Sequence, residues 1–198
     1  MVKHLAVILA FLMTLSAPVM AQDFQKGFAA YKAGDYATAL QEWTPLAEAG
    51  YEVAQYNLAL MYDYGKGVPL DDKEAIKWYR LAAEQGHAKA QYNLGLMYNN
   101  GDGVPQDYKE AVKWSRLAAE QGYAMAQTNL GFVYEKGQGV LQDNATAHMW
   151  YNVGAANGNE LGGTNRDNLA SKMTPAAIEK AQAMARECMN SGYTKCGY

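Results

Sequence analysis

Apolar residues in the middle of the chain recur at the spacing of helix faces. Two stripes whose apolar positions fall on one helix face follow one another, the first ending at Gly101 and the second at Gly122. Asp107 stands before the second stripe, three residues ahead of Glu110, which is a carboxylate version of the capping box. The stripes consist of Ala90, Leu94, Met97 and Tyr98, and of Ala111, Trp114, Leu117 and Ala118. Strand-like alternation is absent, so the pattern predicts pairs of helices.

This two-helix pattern repeats every 36 residues. Residues 75–104 and 111–140 are identical at 20 of 30 aligned positions. The same step relates Gly50, Gly86, Gly122 and Gly158. A fixed period in this range is typical of a solenoid. We therefore predict an all-α fold, an α/α superhelical solenoid of about four to five antiparallel helix pairs with a C-terminal capping helix.

The repeated residues resemble a known family. They follow A-x-A-Q-Y-N-L-G-x-M-Y-x-x-G-x-G-V and then K-E-A-x-K-W-Y-x-L-A-A-E-Q-G. Residues 88–104 and 109–122 match closely, and the unit before them matches with Ala59 in place of the glycine. The pattern resembles the Sel-one-like repeat of secreted bacterial proteins, a branch of the tetratricopeptide-like α-solenoids, and the resemblance covers roughly residues 24–189.

The repeat register divides the chain into segments. Residues 22–50 are predicted to be a tetratricopeptide-like helix pair, and residues 51–158 to be Sel-one-like repeats. Residues 159–198 contain a degenerate repeat, the capping helix and a tail with both cysteines. The degenerate repeat carries Gly163 where the pattern has Gln and Arg166 where it has Leu.

The N-terminus has the pattern of a secretory signal peptide. Lys3 and His4 precede eleven residues, 5–15, that are apolar except for one Thr, and Ala21 closes a segment suited to signal peptidase. We predict cleavage after Ala21, a periplasmic or secreted protein, and no membrane insertion after cleavage. The alternative is an uncleaved anchor, for which eleven residues are short against roughly 30 Å of hydrocarbon.

Charge and cysteine usage narrow the function classes. The net charge is −3 and no basic run occurs, so the chain lacks the electrostatic footprint of a nucleic-acid-binding protein. Cys188 and Cys196 are the two cysteines, and in an oxidising compartment they are expected to form a disulfide. Closing this loop of about nine residues contributes roughly 2.5 kcal/mol by chain entropy. A redox-active or metal-binding pair favours the tighter C-x-x-C spacing.

Candidate chemistry is sparse. The glycine-rich loops follow helices rather than strands, which indicates turns and not a phosphate loop. His87 and His148 occupy different repeat positions without H-E-x-x-H, so no metal and no cofactor are predicted. No serine begins S-x-x-K. We predict that the protein is not an enzyme. The alternative is a β-lactam-binding protein or β-lactam hydrolase, suggested by a cysteine-rich branch that carries paired cysteines inside its repeats.

The resemblance implies a protein-interaction scaffold. In similar solenoids the first helix of each pair lines the concave face and contacts a protein or peptide partner. Carried over by register, the partner-binding residues are Tyr56, Leu60, Asp63, Tyr64, Lys89, Tyr92, Leu96, Asn99, Thr128, Phe132 and Glu135. For Leu60, Leu96 and Phe132 the alternative is that their side chains only pack between neighbouring helices. The polar, proline-started terminal helix favours a capped monomer over self-assembly.

Overall fold

The computed structural model describes residues 23–196, and the predicted signal peptide lies outside these residues. Within them the structure is helical without strands, as the periodicity predicts. Residues 23–32 form α1. The following helices are α2 (Tyr36–Glu48), α3 (Glu52–Asp63), α4 (Asp72–Glu84), α5 (Ala88–Asn100), α6 (Tyr108–Glu120), α7 (Ala124–Lys136), α8 (Asn144–Ala156), α9 (Glu160–Ala170) and α10 (Pro175–Asn190).

Aspartate side chains begin the second helix of each repeat. Asp107 Oδ1 accepts hydrogen bonds from the backbone N–H groups of Lys109 and Glu110, at 2.9 and 3.1 Å. Asp71 and Asp143 make the same two bonds at the starts of α4 and α8. These oxygens satisfy N–H groups that a helix leaves open at its first turn. Glu110 instead pairs with Lys113 at 3.1 Å, so the reciprocal half of the predicted capping box is replaced by an ion pair on the helix surface.

Glycine ends the first helix in two repeats. Gly101 and Gly137 are the C-cap residues of α5 and α7, with φ of 84° and 68° in the left-handed region. Their N–H groups bond to Met97 O and Val133 O. A side chain at this φ is strained, so the glycine is what allows the helix to end there. Gly101 was predicted as this left-handed stop, and the prediction is confirmed.

The chain divides into two compact units. The first, described from residue 23 to Leu81, contains α1, α2, α3 and most of α4. Its α1 and α2 are joined by the short connection of residues 33–35. Its largest fully buried side chains are Trp43, Leu58, Met61 and Tyr79.

The second unit begins at Ala82 and is described as far as residue 196. Within it, α5 packs on α6, α6 on α7, α7 on α8, and α8 on α9. The predicted capping helix, α10, packs on α8. Since consecutive helices pack on one another through short connections, the unit is a stack of antiparallel helix pairs. Its core is built around the buried side chains of Leu130, Met149, Trp150, Tyr151 and Val153.

Candidate protein-binding surface on the first helices

Each repeat consists of a first helix and a second helix, and the predicted partner-binding residues all belong to the first. Those of the first unit lie on α3 or at its C-cap, Tyr64. Those of the second unit lie on α5 and α7. The accessible residues among the latter, together with the exposed Met125 of α7, form what we call the α5–α7 surface. It consists of Lys89, Tyr92, Leu96, Asn99, Met125, Phe132 and Glu135.

On α3, a single neighbouring tyrosine contacts two of the four predicted residues. The Tyr56 ring lies 6.0 Å from that of Tyr79, centroid to centroid. The buried Tyr79 also donates from its hydroxyl to Asp63 Oδ2 at 2.8 Å. Leu60 is half-buried, whereas Tyr64 is 61% exposed. Asp63 is therefore oriented from within the repeat, and Tyr64 is the most accessible of the four.

On α5, an aromatic contact anchors the surface. The ring of Tyr92 meets that of Tyr123, the N-cap residue of α7, edge to face at 5.4 Å between centroids. Burial, and secondarily the neighbouring Tyr123 hydroxyl, raises the pKa of Tyr92, so its phenol stays neutral. Leu96 and Asn99 are half-buried and Lys89 is exposed. The helix thus presents a cation, an aromatic edge, an aliphatic side chain and an amide.

On α7, two exposed apolar side chains stand seven residues apart on one face. Met125 is 46% and Phe132 41% exposed. The Lys136 ammonium lies 5.7 Å from the centroid of the Phe132 ring, a cation–π arrangement. Side chains separated by seven residues share a helix face. The pair therefore offers two apolar contacts on one helix face, with a positive charge at the Phe132 ring.

The last predicted residue on α7, Glu135, is an oriented carboxylate. It accepts hydrogen bonds from the Tyr151 hydroxyl at 2.8 Å and from Lys136 Nζ at 3.1 Å. Partial burial raises its pKa, but these two hydrogen bonds outweigh that effect, so the pKa lies below its usual value. Burial, and then the bond to Glu135, raises the pKa of Tyr151. The pair therefore persists as a neutral phenol donating to a carboxylate.

Thr128 lies in the interior of the second unit. Its repeat position is that of Tyr56 and Tyr92, which is why the register predicts it on the surface. A β-carbon at Gly162 of α9 would lie only 2.9 Å from Thr128 Oγ1, and one at Gly154 of α8 would also clash with it. Because these glycines let two helices approach α7 closely, Thr128 is buried and out of a partner's reach.

Leu161 is 66% exposed on α9 but is absent from the partner-binding residues predicted from the sequence. Leu161 stands 36 residues after Met125, at the same repeat position. The only signal available from sequence is this spacing, which is obscured because the fourth repeat departs from the pattern at Gly163 and Arg166.

The described residues contain no arrangement suited to a metal or a membrane span. Between residues 23 and 196, no group of three or more His, Cys, Asp and Glu side chains is placed to hold a metal ion. Over the same residues, no helix is both long enough and apolar enough to cross a membrane. What the surface offers is apolar contact and hydrogen bonding.

Comparisons with known proteins agree with this architecture. The Sel1 repeat family model matches residues 53–87, 88–123 and 124–159. A Sel1 repeat protein from Oxalobacter formigenes has a similar crystal structure, with a TM-score of 0.72 and 30% sequence identity over 86% of this chain and 77% of that one. A protective antigen of uropathogenic Escherichia coli strains that displays an SLR fold gives a TM-score of 0.61 and 27% identity, over 88% of this chain and 47% of that one.

A curated relative is similar over a shorter stretch. It is an exopolysaccharide production negative regulator from Rhizobium meliloti, 43% identical over 56 residues. The match spans 28% of this chain and 21% of the relative. The repeat matches and the structural similarity together confirm an all-α solenoid of helix pairs. This chain belongs to the Sel1 repeat family.

Proposed function

We propose that the protein is an extracytoplasmic adaptor that binds a protein or peptide partner through the first helices of its repeats. Sel1 repeat proteins generally mediate protein–protein interactions. The observation that carries the proposal is the exposed pair Met125 and Phe132 on α7, with Lys136 against the aromatic ring. An accessible aromatic and thioether pair bordered by polar groups is the composition that interface centres favour.

The charged side chains of α5 and α7 contribute to the orientation of a bound partner. Lys89 and Lys136 are exposed, whereas the carboxylate of Glu135 is already engaged by Tyr151 and Lys136. Tyr92 and Glu135 are held by neighbouring tyrosines, so little side-chain freedom is lost when a partner contacts them. A rigid helical surface with several modest contacts suits a segment of protein bound along it.

The curated relative supports a regulatory context. Its name describes negative regulation of exopolysaccharide production, and this chain spans about a fifth of its length. We therefore infer that binding by this protein modulates a partner rather than transforming a substrate. Sel1 repeat scaffolds are generally non-enzymatic. The β-lactam alternative rests on cysteines inside the repeats, and Cys188 and Cys196 lie together beyond the last repeat.

A site-specific cross-link tests the adaptor proposal. A photoreactive amino acid is placed at Phe132 and, as a matched control, at Leu117, which is 39% exposed on the second helix α6. We expect the probe at position 132 to cross-link an envelope protein that the probe at position 117 does not capture. Capture of the same proteins at equal yield from both positions would contradict the proposed surface.

The captured partner then allows a binding measurement. Met125→Ala combined with Phe132→Ala is expected to weaken its affinity by about tenfold or more, because interface centres carry most of the binding energy. Leu117→Ala, with equal helicity, is expected to leave the affinity unchanged. The combination of Tyr56→Ala with Tyr92→Ala does not separate binding from folding, since both rings also pack within their own units. Hydrolysis of a chromogenic β-lactam by the purified protein would instead favour the enzyme alternative.

A further inference from the structure

The tail that follows α10 turns back and is held by local hydrogen bonds. Gly192 and Tyr193 both have left-handed backbone, with φ of 63° and 69°. Tyr193 is the only non-glycine residue with positive φ in the described part of the chain. Its N–H donates to Cys188 O at 2.9 Å. The Ser191 hydroxyl donates to the same carbonyl at 2.8 Å and accepts from Lys195 N at 3.0 Å.

The two cysteines close this turn. Cys188 on α10 and Cys196 in the tail are bonded sulfur to sulfur. Both are buried within the core of the second unit, at 0% and 1% exposure. Tyr193 lies between them in the sequence and packs against the same core. The pair therefore fixes both ends of the segment that carries Tyr193.

Tyr193 reaches two turns of the repeats. Its hydroxyl donates to Asn157 Oδ1 at 2.9 Å, at the C-cap of α8. Its ring covers the turn between α6 and α7, where a β-carbon at Gly122 would lie 3.1 Å from it. At the equivalent glycines Gly86 and Gly158, no described residue other than the two chain neighbours comes within 4 Å of such a carbon. The tail therefore covers one turn that the other repeats leave open.

The contact with Asn157 completes a chain of side-chain hydrogen bonds. Asn157 Nδ2 donates to Gln127 Oε1 at 2.8 Å, and Gln127 Nε2 donates to Ala119 O at 3.0 Å. We call this chain, from Tyr193 through Asn157 and Gln127 to Ala119, the tail relay. It connects the tail with α6, α7 and α8.

One repeat earlier the same relay occurs without a tyrosine. Gln121 Nε2 donates to Gln91 Oε1 at 2.7 Å, and Gln91 Nε2 donates to Ala83 O at 3.0 Å. The amide-to-amide part is therefore a property of the repeat. The tyrosine is an addition by the tail.

We propose that the tail is a redox-dependent strap, in which the Cys188–Cys196 bond holds Tyr193 on the tail relay and thereby orders the C-terminal end of the repeats. Ordering a short segment with a left-handed tyrosine costs conformational entropy, which the local hydrogen bonds and the Tyr193 hydroxyl bond offset only in part. A covalent closure removes part of that cost in advance. Without the closure, Tyr193 leaves Asn157 and the turn at Gly122 becomes accessible.

The closing step is thiol–disulfide exchange with a disulfide donor, for which oxidised glutathione is a sufficient reagent. Each cysteine thiol gives up one proton and one electron as the sulfur–sulfur bond forms between Cys188 and Cys196. The donor disulfide takes up the two electrons and two protons and leaves as two thiols. The strap therefore closes in an oxidising compartment and stays open under the reducing conditions of a cytosol.

Hydrogen exchange on the full protein tests the strap. The oxidised protein is compared with protein reduced by a dithiol, the thiol state being verified by intact mass. Reduction is expected to speed exchange of the Gly122 and Gly158 amides by about threefold to tenfold, the size of one net hydrogen bond. Amides of α2 and α3 in the first unit are expected to keep their rates.

Three variants separate the strap from general destabilisation. Oxidised Tyr193→Phe is expected to show the faster exchange at Gly158 while its sulfurs remain bonded. Cys188→Ser combined with Cys196→Ser is expected to show the exchange rates of the reduced protein. Addition of the dithiol should not change those rates. Tyr64→Phe, at an exposed tyrosine of the first unit, is the control that should change neither amide. Unchanged exchange at both turns in the reduced protein, or at Gly158 in Tyr193→Phe, would overturn the proposal.

Discussion

Buried glutamine side chains connect helices within the repeats. Gln55, Gln91 and Gln127 are each almost fully buried, and each donates through Nε2 to the carbonyl eight residues earlier, at 3.0 Å. That carbonyl belongs to the last turns of the preceding helix, where intrahelical donors are missing. Burying an amide costs free energy unless the amide is hydrogen-bonded. The glutamines therefore stabilise the turns only while their bonds to these carbonyls are intact.

Replacing Gln127 by Met keeps the length and shape of the side chain but removes both of its hydrogen bonds. The Ala119 carbonyl then keeps only its bond from Gly122 N–H, and the exposed Asn157 amide turns to solvent. Each lost hydrogen bond costs about 0.5–1.5 kcal/mol, so the two together cost about 1–3 kcal/mol. We expect urea unfolding to show a loss in this range. Gln182→Met, on the exposed side of α10, is the control and should change the unfolding free energy by less than about 0.5 kcal/mol. Equal losses in the two variants would contradict the structural role of Gln127.

His148 makes the stability of the second unit depend on pH. The side chain is 2% exposed, and its Nδ1 is buried without a hydrogen-bond partner in the structure. Burial, followed by the charge of Arg166, lowers the pKa of His148 below 6.5, and Asp167 offsets this only in part. The folded protein therefore resists protonation at this site more than the unfolded chain does.

The sign of the pH effect follows from this lowered pKa. Stability from a neutral His148 is fully present above pH 6.5 and is lost as the pH falls below that value, because the unfolded chain then binds the proton more readily. We expect the unfolding free energy to be lower at pH 5.5 than at pH 7.5. His148→Leu should reduce this difference, whatever its effect at pH 7.5. A variant with the same pH difference as the natural protein would show that other groups cause it.

At the scale of helices, small residues set how closely neighbours approach. A β-carbon at Gly95 of α5 would lie 2.8 Å from the Ser115 hydroxyl of α6, and one at Gly131 of α7 would clash with the Tyr151 ring of α8. By contrast, a β-carbon at Gly163 of α9 would meet only the β-carbon of Ala155, at 3.8 Å. Glycine is therefore required by close packing at Gly95 and Gly131, whereas the space at Gly163 would accept a side chain.

Alanine substitutions at these two helical glycines are expected to have opposite effects. Gly163→Ala gains helix propensity worth up to about 1 kcal/mol and fits the available space. Gly131→Ala gains the same propensity but forces Tyr151 to move, and overpacking costs about 1–3 kcal/mol. The midpoint temperature of thermal unfolding should therefore rise for Gly163→Ala and fall for Gly131→Ala. A rise for both would show that Tyr151 adapts without cost.

At the scale of the whole molecule, the main proposal about location is testable in cells. Residues 1–21 have the composition of a signal peptide with cleavage after Ala21. We expect the protein recovered from the cell envelope or the medium to begin at Gln22 by mass spectrometry. Ala21→Leu should accumulate the longer form, because the cleavage site requires a small residue. Recovery of the natural protein with residues 1–21 attached would contradict the prediction.

Much of the architecture could be predicted because its causes are local or periodic. Asp107 caps its helix through N–H groups two and three residues away, and Gly101 ends the helix before it through its own φ. The predicted position of Phe132 on an exposed helix face stays a prediction as regards binding. The burial of Thr128 could not be predicted, because it depends on glycines of two other helices.

The sequence by itself therefore determined the helix pairs, their turns, the family and the set of first-helix positions, since a 36-residue period repeats the same local forces. Only the tertiary structure decided which of those positions are accessible, how tyrosines orient Asp63 and Glu135, and that Tyr193 closes a relay through Asn157. These features join residues 16 to 36 positions apart. Their geometry arises from helix packing, and helix packing brings together side chains that no local pattern relates.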